Sequence, residues 1–155
     1  MKKKLLLFGV GFLALALLCA GLFQVSKSRS FQFFGGLTYE VETEEKVIAL
    51  TFDDGPTENA DQILPLLEKY KAKATFFLIG NDIEKYPEEA RKLVEAGHQI
   101  GNHTYSHKRM VLVSPSFIKE EIEKSDELIR KSGYKDEIDF RPPYGKKFVG
   151  LPYYF

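Results

Sequence analysis

The chain has 155 residues, which is room for one domain of ordinary size. Its basic and acidic side chains balance at 22 each, which argues against nucleic acid as a partner because no excess positive charge is available to meet phosphates. The single cysteine, Cys19, excludes both a disulfide framework and a cysteine-based metal site within one chain.

The N-terminus carries a long apolar segment behind the three lysines at positions 2–4. Residues 5–23 contain no charged side chain, and about 20 such residues suffice to cross a bilayer as a helix. We therefore expect residues 1–23 to form one N-terminal transmembrane helix that anchors the chain in the membrane. A cleaved signal peptide is the alternative, although its apolar core usually has about 7–15 residues and a small-x-small site behind it. The leucine before Cys19 disfavours lipidation, which requires a small residue there.

The charges on either side of this segment predict its orientation. Three lysines precede it and only Lys27 and Arg29 follow closely, and the more basic flank of a span stays in the cytoplasm. The rest of the chain should therefore face outward from a bacterial cell membrane, or be secreted if the segment is cleaved. Residues 24–44 mix polar, glycine and aromatic residues without a firm period, and we expect them to form a stalk before a folded domain at 45–155.

Short apolar runs then alternate with helical patterns. Residues 47–52 predict a strand buried on both faces, which ends at an Asp-Asp-Gly-Pro turn signal. Residues 59–71 have apolar side chains at helical spacing, although Pro65 falls inside that pattern. Residues 74–79 predict a second buried strand, closed by Gly80.

The next helix and strand have clearer boundaries. Pro87 opens a helix at a position where its missing N–H costs little, and Gly97 ends it. Residues 98–101 predict a third, weaker strand, in or near which His98 is expected to be a structural residue.

A further helix begins with Ser114 as its N-cap and Pro115 at its first position, and it ends at Gly133. Residues 138–140 predict a fourth short strand. Repeated strand–helix alternation predicts an α/β fold with parallel strands. Functional sites in such folds gather at the carboxyl ends of the strands.

Polar side chains follow the first, third and fourth predicted strands. They are Asp53 and Asp54, His103 and His107, and Arg141 and Tyr144. Two histidines four apart meet on a helical turn, and two imidazoles with one carboxylate form a three-ligand set for Zn²⁺ or a similar ion. A second carboxylate could take a proton from water, with an arginine keeping that carboxylate ionised. Each cluster alone also has a structural interpretation: a turn, a solvated histidine pair and a rigid loop.

Three motifs carry a family resemblance. Residues 51–56 (Thr-Phe-Asp-Asp-Gly-Pro), 103–107 (His-Thr-Tyr-Ser-His) and 141–145 (Arg-Pro-Pro-Tyr-Gly) resemble the first three motifs of the NodB-homology polysaccharide deacetylases, carbohydrate esterase family 4. The resemblance extends from about Lys46 to the end of the chain. It implies a partial distorted (β/α) barrel that holds one divalent metal ion, usually zinc.

The resemblance also implies roles for the polar residues. Asp54, His103 and His107 would be the metal ligands. Asp53 would be the general base for the attacking water, and Arg141 would hold Asp53 in place. Tyr144 would supply a backbone N–H to the oxyanion. The family's substrates are N-acetylglucosamine polymers, namely chitin or peptidoglycan, and some O-acetylated xylans, and an outward-facing bacterial anchor favours peptidoglycan.

The sequence also departs from the family pattern. The family has two further motifs, one with an aspartate–tryptophan pair and one with a histidine that serves as general acid. This sequence contains no tryptophan, and no histidine follows His107. We therefore expect a deacetylase domain that is incomplete at its C-terminal end, with residues 151–155 as an apolar element cut short. The alternative function is an inactive truncated remnant that binds metal or glycan without turnover.

Overall fold

The computed structural model describes residues 2–147 and 150–151. Helices and strands follow one another along the chain from residue 51 onward. The elements are α1 (Lys2–Ser26), β1 (Thr51–Gly55), α2 (Ala60–Lys69), β2 (Thr75–Leu78), α3 (Gly80–Lys85), α4 (Pro87–Glu95), β3 (Gln99–Asn102), α5 (Pro115–Lys131) and a 3₁₀ turn (Pro143–Gly145).

The strands form a parallel sheet in the order β1-β2-β3, with helices in the connections. Thr75 of β2 pairs with Thr51 of β1 on one side and with Gln99 of β3 on the other. The predicted α/β class with parallel strands is confirmed. A closed or distorted barrel remains a prediction. Because parallel strands end at one edge of a sheet, the loops after β1 and β3 emerge together.

The first strand lies later in the chain than the hydrophobic pattern predicted. β1 covers Thr51–Gly55, and the apolar residues Val47 and Ile48 are 63% and 90% exposed. The predicted strand over 47–52 is therefore wrong for its first half, and its predicted burial on both faces is wrong throughout, because no residue of β1 is buried. In the described part of the chain, β1 is an edge strand that is hydrogen-bonded only to β2.

Three other local predictions need correction. The fourth predicted strand, 138–140, contributes one isolated parallel bridge, between Phe140 and Asn102. Gly80 does not simply close β2, because α3 begins there. Pro65 does not interrupt α2, since burial of the helix's apolar face, including Leu67, outweighs the lost backbone hydrogen bond. By contrast, the predicted Ser114 cap is present: its side chain accepts a hydrogen bond from the N–H of Phe117 over 3.2 Å.

The main core lies between the sheet and its helices. Phe76, Leu78 and Ile100 of the strands pack with Leu93 of α4 and Ile129 of α5, all at most 5% exposed. A smaller cluster joins the buried residues Met110, Ile118 and Leu151. Residues 152–155, the remainder of the apolar ending, lie outside the described residues.

Helix α1 is the predicted apolar segment, extended to Ser26 rather than ending at residue 23. Its part from Leu6 to Ser26 has 21 residues with a mean hydropathy of 2.5, long and apolar enough to cross a membrane. A signal sequence near the N-terminus can also reach this length and hydropathy, so both interpretations of the segment stay open. The last turn of α1 contacts the domain, because the N–H of Lys147 donates to the carbonyl of Ser26 over 3.0 Å.

Candidate metal centre and active site

A bulge in β1 brings two adjacent carboxylates to the same end of the sheet. The strand register shifts between Asp53 and Gly55, and Asp54 has a left-handed backbone with φ of 63°. A regular strand would send neighbouring side chains to opposite faces, whereas a bulge re-aims one of them. Asp53 therefore reaches Arg141, while Asp54 reaches His103 and His107.

The two histidines lie in a loop, not on a helical turn, so the geometric reason for expecting them to meet was wrong. Thr104 and His107 both adopt left-handed conformations, with φ of 68° and 55°. The hydroxyl of Thr104 accepts the N–H of His107 over 3.0 Å, and the N–H of Thr104 donates to the side chain of Asn102 over 2.7 Å. The folded-back loop places the two imidazole rings 4.9 Å apart, centroid to centroid.

Asp54, His103 and His107 converge on one point. The Oδ1 atom of Asp54 lies 3.1 Å from Nε2 of His107 and 3.4 Å from Nε2 of His103. Two ligands bound at about 2.1 Å to one tetrahedral zinc ion are about 3.4 Å apart, so the spacing fits such an ion. The side chain of Asp54 is 64% exposed, so one side of the cluster is open to solvent. These three residues could hold a divalent metal and leave a position for water.

The tautomer of His103 suits metal binding. Its Nδ1 lies 2.6 Å from the carbonyl oxygen of Arg141, and because a carbonyl only accepts, Nδ1 must carry the proton. The lone pair of Nε2 then faces Asp54 and the centre of the cluster. Burial lowers the pKa of His103, although the hydrogen bond to the Arg141 carbonyl acts in the opposite direction. The lowered pKa keeps the imidazole in the neutral form that binds metal.

Asp53 lies beside this cluster and contacts a different residue. Nη1 of Arg141 donates to Oδ1 of Asp53 over 2.6 Å and to the hydroxyl of Thr51 over 3.0 Å. The guanidinium stacks over the ring of Phe77 at 4.0 Å, so its position is fixed from a second direction. Asp53 is therefore an oriented, ion-paired carboxylate, able to act as a proton acceptor next to the three-residue cluster.

Tyr144 borders the open side of the cluster. It is the second residue of the 3₁₀ turn, where backbone N–H groups have no acceptor within the turn, and its φ is 59°. Its ring lies 4.9 Å from the ring of His107 and is contacted by Arg109 at 5.1 Å. In the described residues the N–H of Tyr144 donates to no backbone carbonyl, and an N–H at this position is suited to stabilising negative charge that develops on a substrate oxygen.

The sequence profile of the polysaccharide deacetylase family matches residues 40–149. This chain belongs to the polysaccharide deacetylase family. Among curated relatives, the peptidoglycan-N-acetylmuramic acid deacetylase PdaC of Bacillus subtilis is 42% identical over 107 residues, covering 68% of this chain and 23% of PdaC. A peptidoglycan-N-acetylglucosamine deacetylase of Bacillus cereus is 40% identical over 112 residues, covering 72% of this chain and 52% of that protein. The chain thus spans at most about half the length of these relatives.

Solved structures of the family share the fold. The structure of PdaC matches with a TM-score of 0.65 at 40% identity, over 72% of this chain and 55% of the other. A mutant of a CE4 family pseudoenzyme, with restored enzymatic activity, matches with a TM-score of 0.64 at 31% identity, over 71% of this chain and 41% of the other. The same fold therefore occurs in deacetylases and in a pseudoenzyme.

Several polar residues at the site were not singled out from the sequence. Thr51 lies inside the first motif and accepts a hydrogen bond from Arg141, which is 90 positions away. A contact between residues so far apart produces no local sequence pattern from which it could be predicted. Burial raises the pKa of Asp82 on α3, where Lys85 opposes the shift and the charge of Asp54 adds to it, so this carboxylate lies within electrostatic reach of the cluster. Glu121 on α5 binds Ser106, which lies in the loop of residues 103–107, named here the histidine loop. The one signal for Glu121 in the sequence is that a carboxylate occupies a helix position that faces inward.

Proposed function

We propose that this site hydrolyses N-acetyl groups of an N-acetylglucosamine-containing polysaccharide in a metal-dependent reaction, with cell-wall peptidoglycan as the substrate. One observation carries the proposal: Asp54, His103 and His107 converge within 4.8 Å of one another, and the Asp53–Arg141 pair lies beside them. PdaC and the Bacillus cereus relative are peptidoglycan deacetylases, which supports peptidoglycan as the polymer.

Each side chain then has one task. A divalent ion, which we propose to be Zn²⁺, would supply Lewis-acid polarisation of the acetamide carbonyl and lower the pKa of the attacking water. Asp53 takes the proton from that water, because the guanidinium of Arg141 pairs with its carboxylate and aims it. The backbone N–H of Tyr144 donates to the oxyanion as the carbonyl carbon becomes tetrahedral.

The proposed location follows from the substrate and from α1. Peptidoglycan lies outside the cytoplasmic membrane, and α1 is long and apolar enough to serve as an anchor. We propose an outward-facing domain on the bacterial cell membrane, or a secreted one if the N-terminal segment is cleaved. We further propose residues 1–23 as the anchor or signal segment, 24–44 as the stalk and 45–155 as the deacetylase domain.

A second candidate function is binding of metal or glycan without turnover. The departing amine needs a proton from a general acid as the tetrahedral intermediate collapses, and His98 is the only histidine of the described residues besides the two candidate ligands. His98 does not serve as that acid, since it is 5% exposed and precedes β3, at the opposite end from the site. The similarity to a CE4 family pseudoenzyme supports this candidate, because the two chains share the fold.

One set of measurements separates the two candidates. The full chain in detergent is titrated with Zn²⁺, and acetate release is measured from N-acetylated chitooligomers and from peptidoglycan, with Asp54→Ala as the control. We expect zinc binding that Asp54→Ala abolishes, and acetate release about 10²–10⁴-fold slower than that of PdaC, because no residue in the described part of the chain is placed to act as the general acid. Zinc and glycan binding with no acetate release favours the second candidate. Acetate release that does not depend on zinc contradicts the first.

A further inference from the structure

Helix α5 carries a buried glutamate on the face that packs against the rest of the domain. Glu121 is 4% exposed, and its neighbours on the same helix face, Ile118, Ser125 and Ile129, are buried as well. In residues 2–147 and 150–151, its hydrogen bonds come from Ser106 and no basic side chain pairs with it. Burying a carboxylate without a cation costs free energy unless hydrogen bonds compensate for the lost water. The hydrogen-bond donors to Glu121 therefore indicate the role of this residue.

Both carboxylate oxygens of Glu121 bind one residue of the histidine loop. The hydroxyl of Ser106 donates to Oε1 over 2.7 Å, and the backbone N–H of Ser106 donates to Oε2 over 2.8 Å. Charge-assisted bonds of this length are stronger than neutral ones. Glu121 thus fixes both the side chain and the backbone at the position next to His107, whose Nε2 lies 3.1 Å from Asp54.

The loop needs such support because two of its residues are strained. Left-handed conformations at Thr104 and His107 are unfavourable for residues with a β-carbon, and they persist only where the surroundings determine them. On one side of the loop, the N–H of Gly80 at the start of α3 donates to the carbonyl of Thr104 over 3.0 Å. On the other side, the Glu121 carboxylate provides the matching contact from α5.

We propose that Glu121 is a positioning residue for the metal centre, holding residues 103–107 in the conformation in which both imidazoles face Asp54. The inference rests on the proposed function, in that the site must bind a divalent ion. A glutamate with only a structural role would change the stability of the fold and leave the intrinsic affinity for the ion alone. Groups that orient metal ligands typically change that affinity by about 10–100-fold when removed.

The test measures the dissociation constant for Zn²⁺ in the full chain, in detergent, by competition with a chelator of known affinity. Glu121→Ala removes both bonds, and Glu121→Gln keeps an acceptor for one of them. Ile129→Val is the matched control. Ile129 is fully buried on the same helix face, about two turns further along α5, and its side chain has no group that could hydrogen-bond to the histidine loop. The substitution should lower the melting temperature without affecting the site.

We expect Glu121→Ala to weaken zinc binding by about 10-fold or more, Glu121→Gln to recover part of the loss, and Ile129→Val to bind as the wild type does. The visible absorption of Co²⁺ bound in place of zinc provides a second readout, since it reports ligand geometry and should change only in the Glu121 variants. If Glu121→Ala does not fold, Ser106→Ala, which keeps the backbone bond, should weaken zinc binding in the same direction.

Unchanged zinc affinity in these variants, or an equal loss in Ile129→Val, overturns the positioning role and leaves the metal site in place. Failure of the wild-type chain to bind zinc overturns the metal site, and the positioning role with it. The two failures are therefore distinguishable in one titration series.

Discussion

His103 donates its Nδ1 proton to the carbonyl oxygen of Arg141 over 2.6 Å. The guanidinium of the same arginine holds Asp53 at 2.6 Å. One residue therefore fixes a candidate metal ligand with its backbone and the candidate base with its side chain. Since a substitution changes the side chain and keeps the carbonyl, the two tasks of Arg141 can be separated by mutation.

Arg141→Ala should leave zinc binding close to that of the wild type and impair turnover. The carbonyl that orients His103 is retained, whereas Asp53 loses its only ion pair in the described residues. In a complete relative with the same motifs, misplacing the base should lower kcat by about 10²-fold. Zinc affinity and kcat are measured on the same preparations, and a parallel loss of both would contradict the separation.

Asp53→Asn tests the base directly. The variant keeps the size of the side chain and all three candidate ligands, so zinc should bind normally. Removing a general base typically costs about 10²–10⁴-fold in rate, and we expect that loss in a complete relative. Asp54→Asn is the comparison, because it should weaken zinc binding as well. Turnover of Asp53→Asn at the wild-type rate would disprove the assignment.

The buried side chain of His98 should make the stability of the fold depend on pH. Burial, with a contribution from Lys73, lowers the pKa of His98, and its Nδ1 has no hydrogen-bond partner among the described residues. Between the unfolded pKa of about 6.5 and the lower folded pKa, the unfolded chain binds a proton that the folded chain does not, so stability falls as pH decreases through this window. His98→Phe should reduce this acid-side loss, measured as the difference in melting temperature between neutral and acidic buffer with zinc absent.

His98→Phe should remove only part of the loss of stability at acidic pH. Burial also lowers the pKa of His103, so His103 contributes a loss of the same sign. An identical decrease in melting temperature for wild type and His98→Phe would show that His98 is not the residue responsible.

Gly101→Ala should destabilise the fold next to the site. A β-carbon at position 101 would lie 2.5 Å from ring atoms of Phe77, the ring on which Arg141 stacks, and 3.0 Å from the carbonyl of Asp139. Overpacking of this kind costs about 1–3 kcal/mol. Gly36→Ala is the control, because nothing lies within 4 Å of its added β-carbon. Chemical unfolding of both variants checks the prediction, and equal stabilities would refute it.

Membrane topology can be tested with a protease added to intact protoplasts that express the chain. The three lysines at positions 2–4, which precede the apolar part of α1, predict that the domain lies outside the cytoplasm, so it should be digested. Lysed protoplasts provide the control for intrinsic protease sensitivity. Protection in intact protoplasts, followed by digestion after lysis, would indicate the reverse orientation.

The sequence predicted the parallel α/β fold because its apolar runs and helix caps are local signals. Ser114 and Pro115 define the start of α5 by chemistry within a few residues, and the structure places them there. The position of β1 was less predictable, because pairing with Thr75 decides which part of the apolar run joins the sheet. The bulge at Asp54 and the contact between Ser106 and Glu121 depend on residues distant in sequence, so no local pattern indicated them.

Asp53 and Asp54 have the same side chain and are neighbours in sequence. The bulge in β1 between Asp53 and Gly55 gives them different partners. Position, not residue type, therefore decides which carboxylate faces the two histidines and which faces the arginine. Under the proposed function, a single substitution would produce either of two different incomplete sites, one that binds the ion without a base and one that has a base without the ion. One mutational step would then separate hydrolysis from metal-dependent glycan recognition.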